Sequence, residues 1–562
     1  MKKAMITALM SLTVVTAGAQ TMYDGLTFSQ NDYYGTARSI GMGNAMTAVG
    51  GDLGSVGINP AGSAVAGYSQ FTITPNLTIS SMNSSYSATN SGVYVNGQNT
   101  NLTRFSIPNF GLMVNWDTGS RSGLTAITYG IVFNGTNNFT GHVMGGGTNS
   151  SSSYLGALAS AATGYDIDYL NGYQDETGGS IDQWDYAYYN PDSRGYYAPW
   201  NVIANAQAGS ISNFGSTAEP DYYWRYIGAT EAYTDTGMDD EAGNYIYKIY
   251  IPGTLNQSYG RKVTGSKYDA IANVGLNFGD TFYLGGNLGI TSLRYDTSEY
   301  IKEAAEDPSD FPLDFENNGK TYFDNYRGRY SYSATGSGIY GKIGFIWKPV
   351  DGLRVGGAFQ TPTTMEITER WLHVADITYT SGKTDEAKSP EGEYTYRLRT
   401  PYRVNAGLAF TFAGMAMVSA DYEMTDYSKM KFLDKNTWET TFDDLNQDIA
   451  DCMGISHTVR IGAEFKPMPE IAVRAGYNFT VTPEYSYFAD RKSTTNDKVH
   501  SYSVGLGYSS EGSFFADIAA RLTTLADEYI YLYDDYLDEV ASPVMLNKRQ
   551  RFNITATFGW RF

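Results

Sequence analysis

The chain has 562 residues, with 39 Lys+Arg against 59 Asp+Glu for a net charge of −20, and it carries 48 Tyr and 61 Gly. Only 17 % of its residues are charged, below the roughly 25 % of an ordinary soluble protein, and the acidic balance argues against nucleic acid, whose phosphates need clustered Lys and Arg. The single cysteine, Cys452, excludes an internal disulfide and a cysteine-based zinc cluster.

In chain order, Met1-Lys2-Lys3, the apolar run Ala4 to Val15 and the small residues Ala17-Gly18-Ala19 predict a secretory signal over residues 1–19. No cysteine at the cleavage site supports a lipoprotein, and no later run of about 20 apolar residues predicts a transmembrane helix. Residues 20–67 do not alternate. They are rich in Gly, Ala and Ser, from Gly35 through Gly43 to Asp52 and Asn59-Pro60-Ala61-Gly62, which suits a compact segment folded back as a hatch. Gly41-Met42-Gly43 lacks the third glycine and preceding strand of a dinucleotide site.

From residue 68 the pattern is that of strands. Phe71, Ile73, Leu77 and Ile79 alternate with Gln70, Thr72, Thr74, Asn76 and Thr78; at the other end Phe552, Ile554, Ala556, Phe558, Trp560 and Phe562 alternate with Asn553, Thr555, Thr557, Gly559 and Arg561. An apolar face opposite Asn, Thr, Ser, Gly and Arg fits a membrane barrel with a wet or plugged lumen. Strands are predicted at 68–80, 101–117, 122–137, 263–279, 281–297, 331–348, 352–370, 393–412, 415–428, 456–466, 470–482, 498–509, 513–525 and 547–562. Fourteen is an even number, and short connections alternate with long ones, the longest over about 138–262. The expected fold is an all-β, transmembrane antiparallel barrel of about fourteen strands over 68–562, with the N-terminal hatch in its lumen.

Two strands break pattern. Apolar parity shifts at Pro108, as at a bulge, because proline cannot donate to the ladder. The third strand carries Ile127, Tyr129, Ile131 and Phe133 on one face, then dissolves into Asn134-Gly135-Thr136-Asn137-Asn138. This is either a simple strand end or a kink opening the wall, with Gly130, Asn134 and Gly135 as its candidate residues. The long loop is acidic and crowded with aromatics; Trp184, Tyr188, Tyr189 and Trp200 are candidate ligand contacts, or equally loop and interface packing. The spacing Asp166-x-Asp168-x-x-Asn171-Gly172 misses that of a calcium loop, and no metal or cofactor is expected. His142, His373, His457 and His500 have no hydrolase context, so no enzyme and no catalytic residue is expected.

The small-residue segment closing on Asp52 and Asn59-Pro60-Ala61, with Trp347-Lys348-Pro349-Val350-Asp351-Gly352-Leu353-Arg354 running on to Pro362, and Asp421-Tyr422-Glu423-Met424-Thr425-Asp426-Tyr427-Ser428, resembles the long-chain fatty acid transporter family of outer-membrane proteins (the FadL/TodX type). With the strand count, the resemblance covers nearly all of the chain after the signal except the loop near 138–262. It implies a fourteen-stranded barrel in the outer membrane, a hatch that includes Asn59, Pro60 and Ala61, and passive uptake of a fatty acid or similar lipophilic compound leaving sideways through the wall. Implied partners are that substrate, outer-membrane lipids and lipopolysaccharide, and the barrel-assembly machinery acting on the C-terminal strand. The rival expectation is a structural or adhesive barrel whose large loop binds a partner.

Overall fold

The computed structural model describes residues 21–89, 92–167, 170, 198–215, 224–239, 245–315, 319–435, 442–488, 491–494, 497–537 and 540–562. The expected signal segment, Trp184, Tyr188 and Tyr189 lie outside them.

Fourteen antiparallel wall strands close on themselves. In chain order they are β1 Gln70–Ser87, β2 Val95–Asp117, β3 Leu124–Asn138, β4 Leu255–Phe278, β5 Phe282–Ala305, β6 Gly319–Val350, β7 Leu353–Gln360, β8 Arg403–Phe412, β9 Ala416–Asp426, β10 Ile455–Met468, β11 Ile471–Val481, β12 Lys498–Ser509, β13 Phe514–Thr524 and β14 Val544–Arg561. Each pairs with its neighbours in sequence, and β14 pairs with β1 to shut the cylinder. The seam ends in a reciprocal pair of bonds between Ser69 and Phe562, at 3.2 and 3.0 Å. Closure leaves no unpaired backbone edge for lipid, which is why such a sheet can cross a membrane.

The side chains are inside out relative to a soluble sheet. On β14 Phe552, Phe558 and Trp560 are 37–44 % exposed, while Asn553, Thr555 and Thr557 on the other face are fully buried. Trp116, Trp347, Phe412, Phe465 and Tyr508 add to the outward apolar girdle. The short turns, among them 279–281 and 413–415, lie at the same end as the 69/562 seam; the opposite, loop end carries the long connections.

Two strands are less regular than the sequence suggests. The wall continues β7 through Thr364–Tyr379 and precedes β8 by Gly392–Arg399, with breaks at 361–363 and 400–402. Pro362 and Pro401 supply no N–H there. The Thr363 and Thr400 backbones still bridge the breaks, at 2.9 Å between Thr400 N and Thr363 O. The loop near 138–262 is also no featureless connection. Gly141–Asn149 runs on along β4, helices Tyr154–Ala162 and Trp200–Gln207 pack with the short strands Ile211–Asn213 and Tyr226–Gly228, and a hairpin of Ala232–Asp239 and Tyr245–Tyr250 follows. Leu155, Leu158, Val202 and Ile203 of these helices share one buried cluster with Tyr86, Tyr259, Ile301, Tyr326, Ile377 and Met545 from the loop ends of the wall. The result is a dry cap over the loop end.

Deleting Phe562 removes both seam bonds and the last member of the outward apolar row. The variant is expected to insert poorly and to lose heat-modifiable gel mobility, while an otherwise identical Phe562→Tyr variant keeps it.

Candidate functional site

The hatch is built from capped turns. Thr21 and Asp24 form a capping box at the start of α1 (Met22–Ser29); Thr36 caps α2 (Ala37–Gly41) and also donates to Asp52 at 2.6 Å; Asp52 and Asn59 cap the 3-10 helices Leu53–Gly57 and Pro60–Val65. Short polar side chains satisfy the orphan N–H groups of each turn, so a segment too small to have its own core holds its shape.

Inside the barrel the hatch rests on wall positions that have no side chain. A Cβ at Gly285 would lie 2.4 Å from Ala61 N, one at Gly344 2.1 Å from Asn59 Oδ1, one at Gly356 2.3 Å from Thr47 O and one at Gly476 2.1 Å from Gly43 N. Asn59 donates to Thr47 O (2.7 Å) and Phe345 O (3.0 Å) while accepting from Ala61 N, so it ties two parts of the hatch to β6. Pro60 presents its carbonyl to Asn273, and Ala61 packs with Ala64, Tyr283 and Ile346. Asn59, Pro60 and Ala61 therefore form the hatch's anchor on β4 to β6, near the turn end. They do not line the cavity described below. Ion pairs fix the rest: Arg38 and Arg474 with Glu464 at 3.0 and 2.7 Å, and Arg521 with Asp32 at 2.9 Å.

The ladder between β2 and β3 is interrupted part-way along the wall. Between β1 and β2 the register skips from Thr74↔Asn109 to Asn76↔Ser106, a bulge spanning Pro75 and Pro108. The β2–β3 ladder stops at Asn109↔Asn134, although β3 and its continuation keep pairing with β4. Gly130 lies inside the intact ladder, between Met113 and Asn273, so the departure begins after Asn134. Asn134 and Asn109 bond side chain to side chain. Gly135 sits between Pro108 and Tyr34, and an added Cβ would come within 3.1 Å of the proline ring. Backbone groups of β3 that lose β2 are taken up by the hatch: Tyr34 N donates to Gly135 O at 2.9 Å and Asp32 N to Thr136 O at 2.7 Å. Leu53 and Val56 of the hatch pack on Met113, Val132 and Ile271 just below.

A lumen cavity of about 360 Å³ begins beside this break. Its apolar lining includes Tyr23, Leu26, Met82, Phe139 and Tyr295 from the hatch and the first strands, and Tyr427, Val499 and Leu525 from across the lumen. Its charged lining mixes both signs: Arg403, Arg460, Arg549 and Arg551 with Glu423 on β8 to β14, and Glu484, Asp497, Asp527 and Glu528 in the connections between them. Glu423 accepts from Arg460 at 2.9 Å and lies 3.5 Å from Arg403. The Arg460 Nε and Nη1 atoms are buried without a hydrogen-bond partner among the described residues. Trp200 does not line this cavity: it begins the second cap helix and its ring lies 5.9 Å from Trp371. His457 and His500 bond to Tyr422 and Tyr477, and His373 packs on Tyr330.

The residues sequence reasoning missed are the lumen arginines, Tyr34, and the polar core of the cap. In that core Glu303 accepts from Tyr154 N at 2.7 Å, and Glu231 accepts from Gly228 N at 2.9 Å beside the Tyr536 hydroxyl. Burial pushes the Glu231 carboxyl up to about 7, with Gly228 and Tyr536 opposing the shift.

No family profile matches the chain, and no curated protein does. Solved structures similar in fold include a Pseudomonas aeruginosa FadL homologue (12 % identity, 95 % of this chain and 99 % of that one, TM-score 0.45) and the Pseudomonas putida toluene transporter TodX (11 %, 94 % and 98 %, TM-score 0.46).

Two outcomes are expected. Asn59→Ala removes a cap and orphans two buried carbonyls, a loss of about 2–4 kcal/mol to hatch docking; single barrels in planar bilayers should then conduct more, and unchanged conductance would separate Asn59 from the plug. Because Glu231 is raised on folding, its contribution is full below its ordinary value of 4.5 and is lost as pH rises through about 7. Protease resistance of the cap should fall over that window, and Glu231→Gln should make the fall shallower.

Proposed function

We propose that the protein is a non-enzymatic outer-membrane channel for a hydrophobic small molecule with an anionic head, of the long-chain carboxylate class, which leaves through the wall beside Gly135. The observation that carries this reading is the cavity that ends at the one level where β2 and β3 part. A transmembrane β-sheet loses inter-strand pairing only where the freed backbone is buried in protein or faces a cavity. Here hatch backbone takes up the Gly135 and Thr136 carbonyls of β3, while the β2 edge beyond Asn109 has a ladder only with β1 among the described residues.

The lining supports the ligand class. A cavity of this size is at the lower end of small-molecule sites. Apolar side chains lie toward the break at Met82, Phe139 and Val143 and recur across the lumen at Val499 and Leu525, where Arg460 holds two buried N–H-bearing atoms without an acceptor among the described residues. A carboxylate there would gain charge-assisted bonds, and its chain would lie along Met82, Phe139 and Tyr295. A non-polar hydrocarbon would leave the guanidinium unsatisfied. Passive movement fits a chain that offers the ligand a chamber and a side exit from it, while the hatch occupies the lumen near the turn end. The second reading, partner binding by the cap hairpin, draws on its exposed Tyr233, Met238, Ile246 and Tyr250.

In a Cys452→Ser background, cysteines at Ser106 on β2 and Asn137 past the break can be joined by a reducible bis-thiosulfonate bridge. The bridged protein is expected to bind oleate at the cell surface but to lose uptake of radiolabelled oleate, and reduction should restore it. Full uptake with the bridge in place would reject lateral exit and favour passage to the periplasm.

A further inference from the structure

Beyond Asn109 the β2 edge, Val95–Pro108, pairs with β1 and has no ladder on its other side among the described residues. The third wall strand there has moved inward, and Gly141–Asn149 passes over the lumen face of β1 and β14, where Gly141 meets Met82 and Gly145 meets Met545. A free edge at membrane level is costly in lipid and sticky in any solvent, so what spans the opening matters. Three side chains of β2 do so. Arg104 Nη1 donates to Gly265 O at 2.6 Å, Thr100 donates to His142 O, and Asn96 donates to Gly146 O at 3.3 Å.

Their heights differ. The outward row of β2 is apolar through Phe110, Ile107 and Phe105, then turns polar and exposed at Thr103, Asn101 and Asn99. Arg104 therefore stands where the apolar band ends, while Thr100 and Asn96 are four and eight residues further out. Its partner is specially shaped. Gly265 has φ +133°, and an added Cβ would lie 2.1 Å from Arg294 O, so only glycine fits. Its carbonyl also accepts from Phe139 N at 3.2 Å, at the point where the third strand turns inward. Among the described residues Arg104 forms no ion pair, and its guanidinium holds a single neutral carbonyl across the opening.

We propose that Arg104 is the latch of the wall opening and sets its preference for anionic ligands, because a departing carboxylate takes the guanidinium from the Gly265 carbonyl. The inference rests on the lateral exit proposed above. A carboxylate is a stronger acceptor than a neutral carbonyl for the same cation, so an anionic head exchanges for Gly265 and frees the edge. A neutral molecule of equal length makes no such exchange and meets a closed bar.

The test compares uptake of oleate and oleyl alcohol by cells producing the wild type, Arg104→Gln and Arg104→Lys, each with and without the reducible 106–137 bridge. Heat-modifiable mobility confirms folded barrels. The wild type should favour oleate; Arg104→Gln should take up oleyl alcohol several-fold faster than the wild type and lose the preference; Arg104→Lys should retain it. Labelling of Asn137→Cys by a lipid-soluble maleimide in phosphatidylcholine vesicles should rise in Arg104→Gln. If the bridge blocks uptake in every variant but Arg104→Gln keeps the wild-type preference and labelling, the latch is wrong and lateral exit stands. If bridged Arg104→Gln still transports, lateral exit itself fails, and the latch with it.

Discussion

Two backbone hydrogen bonds, Tyr34 to Gly135 and Asp32 to Thr136, carry the architecture of the plugged barrel. In lipid every N–H and C=O must find a partner, so a strand can leave its neighbour only if something else takes its place. The hatch is that substitute. It must then be held to the wall firmly enough to keep the substitution, which explains the density of its other attachments. Asp32 takes part twice: its N–H pairs with Thr136, and its carboxylate is clamped by Arg521. The clamp fixes the height at which the hatch can serve β3.

The remaining features follow from seating a polar-capped segment inside a sheet. Glycines on β5, β6, β7 and β11 remove the side chains that would keep hatch backbone away. Buried ion pairs on the opposite side of the lumen need partners from both hatch and wall, because each charge alone would be expensive to bury. Glu464 of the wall, for example, holds both Arg38 of the hatch and Arg474 of the neighbouring strand. The same economy leaves two buried Arg460 nitrogens beside the cavity without a hydrogen-bond acceptor among the described residues.

Much of the fold is legible in the sequence because membrane strands write their two faces in alternation: Phe552 to Phe562 against Asn553 to Arg561 states the outside and the inside directly. The level of the break is also visible, in the loss of the apolar row at Asn134-Gly135 and the parity shift at Pro108. What alternation does not record is pairing at long range. Tyr34 and Gly135 are far apart in sequence, and Asp32 and Arg521 are 489 positions apart, so neither the substitute partner nor its clamp is visible in a local pattern. The cap was hidden for another reason. Tyr154–Ala162 is mostly small apolar residues buried on nearly all sides, so it lacks the one-sided stripe that marks a surface helix. Aromatic crowding drew attention to the loop instead, and the one candidate among the described residues, Trp200, supports cap packing.

The central claim is the path from the lumen cavity to the side of the barrel. A long-chain carboxylate bearing a terminal photoactivatable diazirine, taken up by living cells and cross-linked within the uptake period, reports that path through the residues it marks. Adducts on Met82 or Phe139 in the chamber, together with Ile107 or Phe105 on the lipid face of β2, are the predicted result. Adducts confined to the hatch near Val65 and Tyr68 at the turn end, with none on β2, would contradict it.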